Sequence, residues 1–306
     1  MYPSGIQKTS ASEPPLLDAA ALRQLERLSL TGVEAVVRGF GGQRPAAGHS
    51  RGLEFIDYRR YTPGDDLRNI DWNVYARLRE VVVKTAPSEG HLDLALLLDG
   101  SASMGEGEGS RFRYAQELAA LLGTVALLGS DVVAVDVLAD GDAWAGTPLT
   151  APHVVPQLIA ELAALPRGTR TDLTASLREH RRGSPLADLA VLVTDALVEP
   201  ADLGTAVGEL AASAHAATLV HVVEPAAPEL PDGATELLDA ETGERIVVKL
   251  TPELRRAFAA RRAEARAEVG ELCAARGVAY VVATTDVAPL DLMFGAAREG
   301  GLVSAY

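Results

Sequence analysis

Residues Leu92–Met104 read Leu-Asp-Leu-Ala-Leu-Leu-Leu-Asp-Gly-Ser-Ala-Ser-Met: an apolar run of strand length, stopped by Asp99 and followed by hydroxyls at Ser101 and Ser103. Leu and Ala without polar alternation predict a strand covered on both faces, the kind found in parallel sheets flanked by helices. Ligands of such sheets bind outside the carboxyl ends of the strands. At that edge Asp99, Ser101 and Ser103 offer one carboxylate and two hydroxyl oxygens, hard donors of the type that Mg²⁺ or Mn²⁺ takes. The same residues also read as a plain strand ending in a Ser/Gly turn, and the rest of the chain has to separate the two readings.

The pattern recurs downstream. Asp188–Asp195 is a second apolar strand, Leu-Ala-Val-Leu-Val-Thr, ending on Asp195. Between the two strands stands Gly168-Thr169-Arg170-Thr171-Asp172-Leu173-Thr174, at the head of a helix expected over 172–182. Thr171 alone reads as an N-cap for that helix. Neighbouring parallel strands lie about 4.8 Å apart, close enough for Asp99 and Asp195 to share a cation. Two carboxylates at that spacing are costly without one.

Asp-x-Ser-x-Ser, Gly-x-Thr-x-Thr-like and Thr-Asp loops in this order resemble the metal-ion-dependent adhesion site of von Willebrand factor A domains. The resemblance implies Asp99, Ser101, Ser103, Thr171 and Asp195 as ligands of a divalent cation, Mg²⁺ first, with Mn²⁺ or Ca²⁺ as alternatives. It also implies a coordination position left for a carboxylate of a protein partner. Position 196 departs from the pattern, which has Gly where this chain has Ala.

Working outward, helices are expected over Leu16–Leu30, Arg111–Leu128 with Gly129 as the residue that ends it, Val154–Leu165, Pro200–Ala216, Thr251–Ala275 and Leu290–Glu299. Further strands are expected over Asp131–Leu138, Thr218–Glu224 and Val278–Thr284, with a hairpin in Thr235–Leu250 and a polar loop over Ala139–Thr150. This order gives a doubly wound, mostly parallel α/β sheet of von Willebrand factor A-like type with an irregular, β-containing N-terminal segment packed on it. The expected partition is a mobile tail over 1–15, an N-terminal segment over 16–90 and the α/β domain over 91–306.

Composition narrows the function. With 42 acidic and 28 basic residues in 306, the net charge is −14, which argues against nucleic acid and anionic lipid. One cysteine, Cys273, excludes an intramolecular disulfide and a cysteine zinc cluster. No apolar span reaches membrane length and no signal-peptide core precedes residue 13, so a soluble, cytoplasmic protein is expected.

Arg51–Lys84 is locally opposite in sign: residues 38–84 carry nine basic and six acidic side chains. Thr62-Pro63-Gly64-Asp65 is a type II turn signature. The density of Arg59, Tyr61, Asp65, Asp66, Arg68, Asp71, Trp72 and Arg77 fits either an internal lattice of Arg–carboxylate bonds or a docking surface for an acidic partner. The run from Glu54 to Arg77, Glu-Phe-x-x-Tyr-Arg-x-Tyr-x-Pro-Gly-Asp-Asp-x-Arg-x-Ile-Asp-Trp-x-x-x-Ala-Arg, resembles the domain-of-unknown-function 58 family. An Asp-x-x-Thr-Gly-Glu turn at Asp239–Glu244 resembles it too. That resemblance implies a von Willebrand factor A-like domain and a MoxR-type AAA+ ATPase as partner, with this chain as adaptor or substrate-presenting cofactor in a chaperone-like system.

Catalytic signatures are missing from the sequence. The six histidines lack ligand spacing, and no Gly-x-Ser-x-Gly elbow or Walker A loop occurs. Gly105–Gly109 carries acids that would repel phosphate. A phosphatase of the haloacid dehalogenase type needs a second Asp two residues after the first, and position 101 is Ser. A non-enzymatic, cation-dependent binding module is therefore expected, and a Mg²⁺-dependent phosphoryl hydrolase using the same Asp residues is the alternative.

Overall fold

The computed structural model describes residues 15–17, 19–25, 28–30, 57–60, 82–85, 91–105, 109–170, 172–225, 233–238 and 244–305. They belong to two units, one comprising Met1–Phe40 with Leu92–Tyr306, the other Gly41–His91. The smaller unit holds one described feature, an antiparallel pair of strands, Asp57–Arg60 and Val82–Thr85, with Arg59 opposite Val83.

The larger unit opens with helix α1 (Ala19–Leu25) and strand β1 (Leu28–Leu30). Its main part runs β2 (Asp93–Asp99), α2 (Arg111–Leu128), β3 (Val132–Ala139), β4 (Asp142–Ala145), β5 (Leu149–Thr150), α3 (Val155–Ala163), α4 (Leu173–Gly183), β6 (Ala187–Thr194), α5 (Pro200–Ala211) and β7 (Ala214–Val223). There follow β8 (Gly233–Leu238), β9 (Arg245–Leu250), α6 (Pro252–Ala274), β10 (Ala279–Thr284), α7 (Pro289–Phe294), α8 (Ala296–Glu299) and β11 (Val303–Ala305). The central sheet has the order β10-β7-β6-β2-β3-β4, with β5 also on β3; β10, β7, β6, β2 and β3 are parallel, and β4 and β5 antiparallel.

The continuous apolar run of β2 has a simple cause. Leu94, Leu96 and Leu98 enter one core with α2 and α3, while Ala95 and Leu97 enter a second core with α4 and α5. Strand β6 repeats this, Leu189, Val191 and Val193 on the first side and Ala190 and Leu192 on the second. Both faces are covered, so the fold is the doubly wound, mostly parallel α/β sheet that the strands predict.

Several local expectations change. Gly129 has an ordinary φ of −76°. The left-handed residue after α2 is Ser130, φ +64°, whose N–H bonds the Leu127 carbonyl. The stretch 139–150 is no plain loop: Asp140 (φ +54°) and Gly141 (φ +79°) make a two-residue turn between β3 and β4. Positive φ at both positions is the type I′ hairpin geometry, for which Asp-Gly is a strong signal. Helix α5 stops at Ala211, and β7 starts earlier than expected. The hairpin β8–β9 and the Thr251 cap on α6, which accepts from the Leu254 N–H, follow the sequence reading.

Residues 16–30, which the sequence partition assigns to the N-terminal segment, lie within the α/β unit. Leu16, Leu25, Leu28 and Leu30 are buried in its first core, and β1 pairs antiparallel with β11. The Ser29 and Ser304 hydroxyls meet at 2.8 Å across that pair. Ser29→Ala is expected to cost about 1 kcal/mol, the usual net worth of one hydrogen bond, with Ser304→Ala giving the same loss in urea denaturation and the double variant little more.

Candidate functional site

Strand β2 is followed in the chain by β3 on one side of it and then by β6 on the other, so the carboxyl end of β2 is a topological switch point. Asp99 is its last residue and is 1 % exposed. Leu98 pairs with Val193, which leaves Thr194 level with Asp99 and Asp195 one step beyond. The Thr194 hydroxyl donates to Asp99 Oδ2 at 2.6 Å, and the Ser101 N–H donates to Oδ1 at 3.0 Å. Ser101 and Ser103 hydroxyls lie 3.0 Å apart, so the loop folds back as one hydroxyl-rich turn beside the carboxylate.

The third loop is set by its backbone. The Ala196 N–H donates to Thr194 Oγ1 at 3.0 Å and the Leu197 N–H to Asp195 Oδ1 at 3.1 Å. Ala196 has φ +52°, the conformation glycine takes without penalty, so this chain keeps a glycine-like turn with a methyl group in it. Such a placement costs roughly 1 kcal/mol.

The second loop is tied to the first. Gly168 donates its N–H to the Gly100 carbonyl at 3.0 Å. A Cβ at Gly168 would sit 2.5 Å from Ala139 Cβ, so only glycine allows that approach. Asp140, from the β3–β4 turn, accepts from the Thr169 N–H (3.0 Å), the Thr169 hydroxyl (3.1 Å) and the Arg170 N–H (2.8 Å). Those donors hold its carboxyl below the usual range. Thr171 itself lies outside the described residues, and the N-cap of α4 is Asp172, which accepts from the Ala175 N–H.

Two arginines brace the edge. Arg167 donates to the Ser101 carbonyl at 3.1 Å and stacks 5.1 Å above the Phe112 ring. Arg111, the first residue of α2, donates to the Ser103 carbonyl and places Nε 3.5 Å from Asp195 Oδ2 and Nη1 3.7 Å from Glu224 Oε1. Neither arginine carries a signal in the sequence, because each meets its partner only through the tertiary fold. Asp140 is likewise silent, while Thr194 stands inside the Thr-Asp pair that drew attention to Asp195.

Burial and the nearby Asp195 push the Asp99 carboxyl up to about 6, against the hydrogen bonds from Thr194 and Ser101. Beneath the third loop, His221 donates Nε2–H to the Asp195 carbonyl at 2.9 Å and accepts from the Tyr280 hydroxyl at Nδ1, 2.8 Å away. Burial lowers its imidazole to about 4, so it is neutral at ordinary pH.

The structure thus brings Asp99, Ser101, Ser103 and Asp195 to one edge. Of the motif residues in the N-terminal segment, Arg59 lies in the strand Asp57–Arg60; Tyr61, Asp65, Asp66, Arg68, Asp71, Trp72 and Arg77 lie outside the described residues. Among the described residues no three His, Cys, Asp or Glu side chains are grouped so that they could hold a metal ion by themselves. The donor set is therefore two carboxylates with hydroxyls, which suits a hard, oxygen-seeking cation. A carboxylate as deeply buried as Asp99, beside a second one, fits a site that a cation completes.

A family model described as "Protein of unknown function DUF58" matches residues 57–268. The uncharacterized protein Rv1480 of Mycobacterium tuberculosis is 29% identical over 312 residues, covering 99% of this chain and 96% of its own length. The uncharacterized protein MAV169 of Mycobacterium avium is 31% identical over 157 residues, 49% of this chain and 92% of its own. Among solved structures, the conserved hypothetical protein BatB of Bacteroides thetaiotaomicron aligns with a TM-score of 0.41 at 16% identity, over 68% of this chain and 98% of that one. A von Willebrand factor type A structure from Catenulispora acidiphila aligns with a TM-score of 0.41 at 16% identity, over 72% of this chain and 43% of that one.

Proposed function

The chain belongs to the family of proteins of unknown function DUF58, and from that premise we propose that it is a non-enzymatic module that binds a protein partner through a divalent cation. The observation that carries the reading is the pair of buried carboxylates, Asp99 and Asp195, at the switch point of a parallel sheet, with Ser101 and Ser103 beside them. Asp99, Ser101, Ser103 and Asp195, with Thr171, would hold Mg²⁺, or Mn²⁺ or Ca²⁺ in its place. When bound, the cation supplies a Lewis-acidic position that a carboxylate of the partner can fill. The three hydroxyl ligands add no negative charge and the two carboxylates only balance the ion's own, so an acidic side chain arriving from outside meets no surplus of anions.

The proposed partner is a MoxR-type AAA+ ATPase, with this chain as its adaptor or cofactor in a chaperone-like system, a reading that the family resemblance supports. Among the described residues no helix is long and apolar enough to cross a membrane. The N-terminal motif around Arg59, Arg68 and Trp72 serves this proposal either as internal scaffold or as a second docking surface.

The test is thermal unfolding of the protein in EDTA, Mg²⁺, Mn²⁺ and Ca²⁺. A ligand confined to the native state adds about 2.7 kcal/mol at a hundredfold excess over Kd, and that rise is the expected result for at least one of the ions. No shift with any of them removes the cation from the proposal. Release of phosphate from phosphomonoesters in the same buffers would favour the phosphoryl hydrolase instead.

A further inference from the structure

Arg111 reaches further into the site than a helix N-terminal residue needs to. Its backbone is fixed by the Ser110 N-cap, whose hydroxyl accepts from the Arg113 N–H at 3.0 Å. From there the guanidinium crosses from the first loop, at the Ser103 carbonyl, to the third, at Asp195, and on to Glu224 just past β7. The Arg111 side chain is 20% exposed and Asp195 2%, whereas Glu224 is 59% exposed. A fixed positive charge therefore lies over the same carboxylate that the proposed cation needs.

We infer that Arg111 is a resident counter-ion of the site: it neutralises Asp195 when no divalent cation is bound and must give up that contact, shifting toward Glu224, when one is. The inference rests on the cation reading above. A guanidinium and a divalent ion on one buried carboxylate repel each other strongly where the dielectric is low. Glu224 provides the alternative partner, solvent-facing and already within 3.7 Å of the other end of the fork. Because the same guanidinium holds the Ser103 carbonyl, its departure also frees the hydroxyl turn of the first loop. Cation binding is thereby coupled to the shape of the edge that a partner would meet.

The experiment is calorimetric titration of Mn²⁺ into the full-length protein and into Arg111→Gln, Arg111→Lys, Glu224→Gln and Asp99→Asn, each first shown folded by urea denaturation in EDTA. Arg111→Gln is expected to bind Mn²⁺ about tenfold more tightly, since one unit charge is removed from beside the ion. Arg111→Lys, which keeps the charge, is expected to stay close to the parent. Glu224→Gln, which removes the alternative partner, is expected to weaken binding. An Arg111→Gln affinity equal to or weaker than the parent's, with Asp99→Asn still abolishing binding, would overturn the inference and leave the cation site standing. Binding by Arg111→Gln alone would support it. No binding by either protein would remove the cation reading and this inference with it.

Discussion

Asp99→Asn is expected to make the cation-free protein more stable at pH 8 while abolishing its response to Mg²⁺ and Mn²⁺. The two effects have one origin. Burial and Asp195 raise the Asp99 carboxyl from 3.8 to about 6. Below about pH 4 the group is protonated in both the native and the unfolded chain. Between about 4 and 6 the native state keeps a proton that the unfolded chain has released, so stability falls as pH rises through that window and levels off above it. The accumulated loss is about 3 kcal/mol. Asparagine is neutral throughout: its Oδ1 accepts the Ser101 N–H as before, and its Nδ2–H₂ donates to Thr194 Oγ1 where the carboxylate accepted from that hydroxyl, so the variant escapes the loss. In differential scanning calorimetry with EDTA at pH 8 its melting temperature should exceed the parent's by roughly 5–10 °C. Addition of Mn²⁺ should raise the parent and leave the variant where it is. A variant less stable than the parent in EDTA would mean that the donors around Asp99 favour its charge more than burial penalises it.

The second large effect lies at His221 and has the opposite sign. Its imidazole is lowered from 6.5 to about 4, chiefly by burial. Above pH 6.5 it is neutral in both states. As pH falls from 6.5 to 4 the unfolded chain takes up a proton that the native state does not hold, so stability is lost on acidification, by about 3 kcal/mol in all. Asp99 and His221 therefore slope against each other between pH 4 and 6, and the parent protein should show a nearly flat contribution from the pair. His221→Gln keeps an N–H donor for the Asp195 carbonyl and removes the titration. Its stability in EDTA, followed by urea midpoints, is expected to rise by about 2 kcal/mol as pH falls from 6 to 4, the Asp99 slope laid bare. Asp99→Asn should show the reverse slope over the same range. Flat profiles in both variants would mean that neither group titrates where its burial places it.

The sheet was legible because its strands state their environment directly. Leu94–Leu98 and Leu189–Val193 are apolar at every position, and only burial on two faces tolerates that. The two terminal aspartates were legible for the same reason: a carboxylate closing such a run stands out against it. What surrounds them was not. Arg111, Arg167 and Asp140 are ordinary charged residues in ordinary contexts, and their importance comes from contacts of 2.8 to 3.5 Å between residues dozens of positions apart in the chain. The hairpin at Asp140-Gly141 carries its signal in the Asp-Gly pair, but the flanking strand Asp142–Ala145 is short and largely exposed, so it lacks the apolar alternation that marks a buried strand. The left-handed turn at Ala196 could not be read from the residue, since alanine does not advertise positive φ. It follows from the register of β6 and the hydrogen bonds of Thr194 and Asp195.

The pairing of β1 with β11 has a consequence for synthesis. Ser29 and Ser304 are 275 positions apart, so the ribosome makes one edge of this two-stranded sheet long before the other exists. Through translation of everything between them, Leu25, Leu28 and Leu30 belong to a core that can gather around the central strands but cannot close. Completion waits for Leu302 and Val303, both buried, to leave the exit tunnel. Closing this core needs both partners of that pair, so a nascent chain arrested shortly before residue 302 is expected to leave Leu25, Leu28 and Leu30 uncovered and open to a chaperone.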